Sequence, residues 1–187
     1  MKRTGMTTLL VLSVMLLTTV TGLWARKEAQ MPDNFGSAEW AASNWDEAVK
    51  YLKYLTRDDF REELLKVAPE ERKSAWEKFW KSYDPARATE ANEFLDRYFE
   101  RVRYANENFA SILKYGWETE RGEAWIRLGP PRWQDRYNMR GPGRDIEVWE
   151  YWAPMEVDLV FVDRSGVGDF HLVNPQDMID RAYLYGE

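Results

Sequence analysis

The chain has no cysteine and one histidine, His171, among its 187 residues. Without cysteine there is no disulfide framework, thiolate zinc site, iron–sulfur cluster or cysteine nucleophile, and one histidine does not make a multi-histidine metal centre. Any serine–histidine chemistry would have to run through His171. Positive charge is also scarce: 26 Lys+Arg stand against 32 Asp+Glu, a net charge of −6. A general nucleic-acid binder needs a cationic face that displaces counterions from phosphates, so this balance argues against a nucleic-acid partner. What the chain does have is aromatic surface, with 10 Trp, 10 Tyr and 8 Phe. Packing rather than cross-linking must therefore supply its stability, since each buried aromatic removes a large apolar area from water.

The one sustained apolar run lies at the N-terminus. Lys2 and Arg3 precede Met6 to Val20, and Thr21-Gly22-Leu23-Trp24-Ala25 offers small residues ahead of Arg26-Lys27. A basic start, an apolar core and cleavage sites after Gly22 or Ala25 predict an export signal over residues 1–25. The alternative is an uncleaved anchor, because Met6 to Trp24 just spans a thin bilayer if its Thr and Ser hydroxyls bond back to the helix. Either reading places the rest outside the cytoplasm, periplasmic or secreted in the first case and held at the inner membrane in the second. Removing Lys2 and Arg3 leaves 24 basic against 32 acidic residues, a net charge of −8. Residues 26–39 lack periodicity and read as a flexible arm, and residues 40–187 as one domain.

The front half carries helical spacing. Ala41, Trp45, Ala48, Leu52 and Leu55 share a face, with Ser43 or Asn44 as the cap. Thr56-Arg57-Asp58-Asp59 resembles a capping box before Phe60, Leu64 and Val67, and Pro69 with Glu70-Glu71 opens a third helix striped by Trp76, Phe79, Trp80 and Tyr83. A fourth runs from about Thr89 to Phe109. These stripes read as packed core rather than a cofactor box, and no cofactor is expected.

The back half changes period. Glu123 to Leu128 alternates like a half-buried strand that ends at Gly129-Pro130-Pro131; a polar loop to about Asp145 follows. Further strands are expected at Ile146–Trp152, Val157–Val162 and Phe170–Val173, the last returning through a turn with Gly166 and Gly168. Asn174-Pro175-Gln176-Asp177 looks like the start of a short terminal helix. The expected fold is α+β: about four helices packed on an antiparallel meander of about four strands, then a short C-terminal helix.

The junction carries the specific signal. Phe79-Trp80, Asp84-Pro85, Asn92-Glu93-Phe94, Arg97-Tyr98, Arg101-Val102, Tyr104-Ala105-Asn106 and Phe109 lead in order to Gly116-Trp117-Glu118-Thr119-Glu120-Arg121-Gly122, then Ile126 and Gly129-Pro130-Pro131. From about Phe79 through Asp169 the chain resembles the GWxTD domain family of exported bacterial proteins. Glu120 stands where that family usually has Asp, and Arg132 follows the prolines where an acidic residue is common. The resemblance implies an exported protein and no particular reaction.

Read on its own chemistry, the motif is a joint between halves. Gly116 would take a backbone conformation other residues avoid, Trp117 would anchor, and Thr119 with Glu120 would bond turn amides before Gly122. The competing reading has Trp117, Thr119, Glu120 and Arg121 lining a groove for a partner peptide or glycan. Other candidates are weaker. Asp163 and Asp169 bracket a turn, but calcium needs six or more oxygens and a polar hairpin is the simpler account. Glu147 and Glu150 imitate a glycosidase carboxylate pair, and Trp125, Trp133, Tyr137 and Trp149 imitate a sugar-stacking platform. His171 has no identified acid or nucleophile partner. With no catalytic constellation in view, an enzyme is not the preferred reading. The sequence points to an interaction module for an envelope or secreted protein partner, with carbohydrate binding as the alternative and membrane contact only through an uncleaved N-terminus. The interaction candidates are Gly116, Trp117, Thr119, Glu120, Arg121, Gly122, Gly129, Pro130 and Trp133.

Overall fold

A computed structural model describes residues 31–86, 91–138, 145–152 and 156–173. The expected export segment, the first part of the arm and the expected terminal helix lie outside the described residues. From Met31 onward the arm is packed rather than loose. Phe35 is buried, and the Gly36 carbonyl accepts the Trp76 indole N–H at 2.9 Å.

The helical half is built from α1 (Ala38–Ser43), α2 (Trp45–Tyr51), α3 (Asp58–Leu65), α4 (Arg72–Ser82) and α5 (Glu93–Phe109). The helix expected over Ala41–Leu55 is broken at Asn44, whose side-chain amide donates to the Trp40 carbonyl at 2.9 Å. Its cap is Ser37, accepting from the Trp40 amide at 3.1 Å, rather than Ser43 or Asn44. The expected capping box at Thr56 is absent: the Thr56 hydroxyl donates back to the Leu52 carbonyl and α3 starts with no side-chain cap. Asn92 caps α5 by accepting the Leu95 amide at 3.0 Å. The aromatic stripes are core, as their spacing requires: Trp45, Trp76, Trp80, Tyr98 and Phe99 are all buried in one cluster.

Residues 123–128 are not a strand. They form most of α6 (Glu120–Leu128), which packs against α5 and against the last strand. Burial on two sides demands apolar residues on two faces, and over six residues this imitates a period of two. The expected polar loop instead contains β1 (Trp133–Asn138), followed by β2 (Asp145–Tyr151), β3 (Val157–Asp163) and β4 (Phe170–Leu172). The four strands form an antiparallel sheet in sequence order, so the fold is α+β with the meander at the C-terminal end. Trp149, Tyr151, Val157, Leu159, Phe161 and Phe170 make the buried inner face, reached by Phe109 at the end of α5. No helix among the described residues is long and apolar enough to cross a membrane.

Candidate functional site

The motif residues meet where α5, α6 and the sheet converge. Gly116–Glu118 is one 3-10 turn, and Thr119 is the N-cap of α6. The buried Thr119 hydroxyl donates to the Gly116 carbonyl at 2.8 Å and accepts the Gly122 amide at 3.0 Å. Trp117 is fixed at three points: its amide donates to Asn106 Oδ1 at 3.0 Å, its carbonyl accepts from the Tyr54 hydroxyl at 2.7 Å, and its ring lies 4.8 Å from that of Tyr51. Burial is the main cause that pushes the Tyr54 hydroxyl's pKa well above the ordinary value.

Gly116 does not use the left-handed region expected of it; among the described residues the positive-φ glycines are Gly36, Gly129, Gly166 and Gly168. Its need is space. A Cβ there would sit 1.8 Å from the Ala105 carbonyl oxygen, and one on Gly122 would sit 1.9 Å from the Gly116 oxygen. The two glycines let three backbone segments touch. Gly129, at φ 84°, ends α6 and accepts the Tyr151 hydroxyl at 3.0 Å, while Pro130 beyond it is exposed.

Glu120 and Arg121 tie α6 to the sheet in different ways. Glu120 accepts the Leu172 amide of β4 on one oxygen and faces His171 Nδ1 at 3.0 Å with the other; His171 Nε2 lies 3.2 Å from Asp169. His171 thus has two acid partners that sequence reading missed. Arg121 is buried, with Nη1 donating to Glu147 Oε2 at 2.8 Å, Nη2 to the Gly168 carbonyl at 3.3 Å, and the Phe170 ring centroid 4.0 Å from the guanidinium carbon. Burial holds its pKa below the ordinary arginine value, although Glu147 pulls the other way. Glu147 also accepts from Gln134 and from the Trp149 indole, the latter at 2.8 Å.

These groups border a cleft of about 320 Å³ between the end of α5 and β1–β2, lined by Tyr104, Asn108, Phe109, Arg121, Gln134, Arg136 and Glu147. Each guanidinium there has its own carboxylate: Arg121 pairs with Glu147, and Arg136 donates to Asp145 Oδ2 at 2.7 Å. Gln134 and Arg136 escaped sequence reading because their placement needs the β1 register, in which Arg136 lies opposite Glu147. The other expected groupings come apart. Glu147 is buried on the inner face and Glu150, three residues along the strand, faces the opposite side, so they do not form a carboxylate pair. Trp149 is fully buried, and Trp125 stacks on Tyr104 at 4.0 Å. Asp163 spends its oxygens on the turn, accepting the Ser165, Gly166 and Gly168 amides at 3.0, 2.8 and 2.7 Å.

What remains exposed is the sheet's outer face. Trp133 is 57%, Tyr137 52% and Trp152 59% exposed. The register sets Asp135, Val148 and Val160 in one row and Tyr137, Ile146 and Val162 in the next, the four aliphatic residues partly exposed. Arg132 lies over the Trp152 ring at 3.4 Å. A smaller apolar patch, Ile112, Leu113 and Tyr115, lies on the loop after α5.

No curated protein and no solved structure matches this chain. The family model of the GWxTD domain matches residues 35–173, a span that takes in α1–α5 as well as the motif, the sheet and the cleft. On that match the chain belongs to the GWxTD domain family.

Proposed function

We propose that this chain is a non-catalytic interaction module that works outside the cytoplasm, in an envelope or secretion-associated assembly, and holds a protein partner on the outer face of its sheet. The observation that carries the reading is the exposure of Trp133, Tyr137 and Trp152 on one side of the sheet, in a chain that buries most of its other aromatic rings. Covering such rings is worth about 25 cal/mol per Å² of apolar surface removed from water. Trp, Tyr and Arg are also the side chains in which binding energy concentrates, and Arg132 stands against Trp152. The motif serves as the joint that sets the sheet against α5 and α6, its Trp117 and Thr119 already engaged internally. The extracytoplasmic placement rests on Lys2, Arg3, the apolar run Met6–Val20 and the small residues before Arg26.

A second reading, carbohydrate binding, draws on the same rings: Trp133 and Tyr137 lie four residues apart on one strand face, about 13 Å at the strand rise. Affinity electrophoresis in peptidoglycan-derived and other soluble glycans separates the two. Retardation lost in a Trp133→Ala variant supports sugar binding. Crosslinking in intact cells followed by affinity recovery and mass spectrometry tests the protein reading: one partner recovered with the native chain and lost with a folded Trp133→Ser, Tyr137→Ser variant supports it, and no protein recovered with the native chain contradicts it.

A further inference from the structure

The sheet is apolar on both of its faces. An antiparallel sheet with one wet face alternates apolar residues inward with polar residues outward. β3 breaks that rule: it buries Val157, Leu159 and Phe161 on the inner face and carries Val160 and Val162, partly exposed, on the outer one. Across the register Val160 meets Val148 of β2 and Val162 meets Ile146. On the other side the Val173 amide donates to the Val160 carbonyl at 2.8 Å, so Val173, 46% exposed, extends the Val148–Val160 row past the end of β4. These five aliphatic residues make one patch on the outer face, with the carboxylates of Asp135, Glu150 and Asp158 at its rim.

The chain continues from the patch itself. Residues 174–187 follow Val173, outside the described residues, and their sequence is that of an amphipathic helix. Asn174 and Pro175 suit a helix cap and first position, and Met178, Ile179, Ala182 and Tyr183 then fall on one helical face, with Asp177, Asp180 and Arg181 on the opposite one. A helix this short is marginal in water and needs a surface to hold it. We infer that residues 174–187 dock on the outer face of the chain's own sheet, with Met178, Ile179, Ala182 and Tyr183 against the aliphatic patch and the acids Asp177 and Asp180 turned away from its carboxylate rim. A helix is about 10 Å across and strands lie about 4.8 Å apart, so one helix covers two strands. Entered from β4 those are β3 and β2, and Trp133 and Tyr137 of β1 lie beyond its width. The tail therefore takes the aliphatic part of the face and leaves the exposed rings to a partner, and the inference stands independently of the partner reading.

The chain has no cysteine of its own, so a pair of introduced thiols reports the contact without background. The purified full chain carries Val148→Cys, Val160→Cys or Val162→Cys on the sheet, each combined with Ala182→Cys on the apolar face of the tail or with Asp180→Cys on its polar face. The protein is oxidised while dilute, and peptide mapping by mass spectrometry measures the disulfide formed within one chain. At one or more of the three sheet positions Ala182→Cys should give about tenfold more of it than Asp180→Cys, a bias that an undocked tail on nearly the same tether does not produce. Adding Ile179→Asp to the best pair should lower its yield about tenfold, with circular dichroism showing that the sheet is retained. Equal yields from Ala182→Cys and Asp180→Cys at all three positions, or no disulfide within the chain at any of them, overturn the inference. Disulfides that join two chains in place of one would assign the patch to a second copy and overturn it as well. None of these outcomes bears on the rings, so the recovery experiment with the Trp133→Ser, Tyr137→Ser variant decides the partner reading separately.

Discussion

Arg121 and Glu147 form a buried ion pair that fastens the first turn of α6 to the second strand of the sheet, Nη1 to Oε2 at 2.8 Å. Such a pair is costly to break on one side, because the survivor keeps its charge in a site that water does not reach. Arg121→Met should cost about 3–5 kcal/mol in urea unfolding. Adding Glu147→Gln to that variant should recover part of the loss, since the neutral amide still meets Gln134 and the Trp149 indole. Equal losses in the single and double variants would mean that packing against Phe109 and Phe170, not charge, is what Arg121 contributes.

Thr119 holds two backbone groups with one hydroxyl. Thr119→Val keeps the shape and strands the Gly122 amide, while the Gly116 carbonyl keeps the backbone amide of residue 119 at 3.2 Å, so about 1–2 kcal/mol should be lost, with Thr119→Ser losing clearly less. Comparison of the two denaturation midpoints checks this.

Gly116 and Gly122 tolerate no side chain, since a Cβ on either runs into a carbonyl oxygen of the main chain. Alanine at either position should cost about 3 kcal/mol or more, the upper end for overpacking, because backbone rather than a movable side chain must give way. Thermal unfolding followed by circular dichroism reads the difference.

The Asp163 carboxyl is held below its ordinary pKa: burial alone would raise it, but the Gly168 amide, the Ser165 hydroxyl and the Gly166 and Ser165 amides outweigh burial. A depressed folded-state pKa stabilises the fold above the unfolded value of about 3.9, and this contribution is lost as pH falls through the folded one. Asp163→Asn should therefore destabilise at pH 7, and its deficit against the native chain should shrink steadily in acid below about pH 4. Urea midpoints at several pH values give the curve.

Glu120 stands in for a missing strand at the β4 edge by accepting the Leu172 amide. Glu120→Ala should speed hydrogen exchange at Leu172 while leaving β2 and β3 amides unchanged, and Glu120→Gln should retain most of the protection.

Much of this was legible from residue order. The aromatic stripes of α4 and α5 declare their buried faces because each helix buries one side, and the α+β division follows from the change of period. The motif's turn chemistry was legible in Thr119 and Trp117, but the reason for Gly116 was not: it gives room to the main chain of α5 rather than a left-handed φ, and that need arises only when three segments converge. Where a segment is buried on two sides the code fails: α6 alternates like a strand. Its true signals were the Thr119 cap, the acids Glu120 and Glu123 in the first turn, the Glu123–Arg127 pair at 2.9 Å and Gly129 at the end. β1 was hidden for the opposite reason, because Trp-Gln-Asp-Arg-Tyr-Asn puts its large apolar residues toward solvent and leaves no buried alternation to read. The cleft depends on the register that sets Arg136 of β1 opposite Glu147 of β2, which no local pattern encodes.

The central claim is that the outer face of the sheet is covered when the protein is at work. Hydroxyl-radical footprinting in intact cells, compared with the purified chain, tests it directly. Oxidation of Trp133, Tyr137 and Trp152 should fall severalfold in cells while that of Phe60, exposed on α3 and away from the sheet, stays the same. Equal oxidation of all four residues in both settings would contradict the claim.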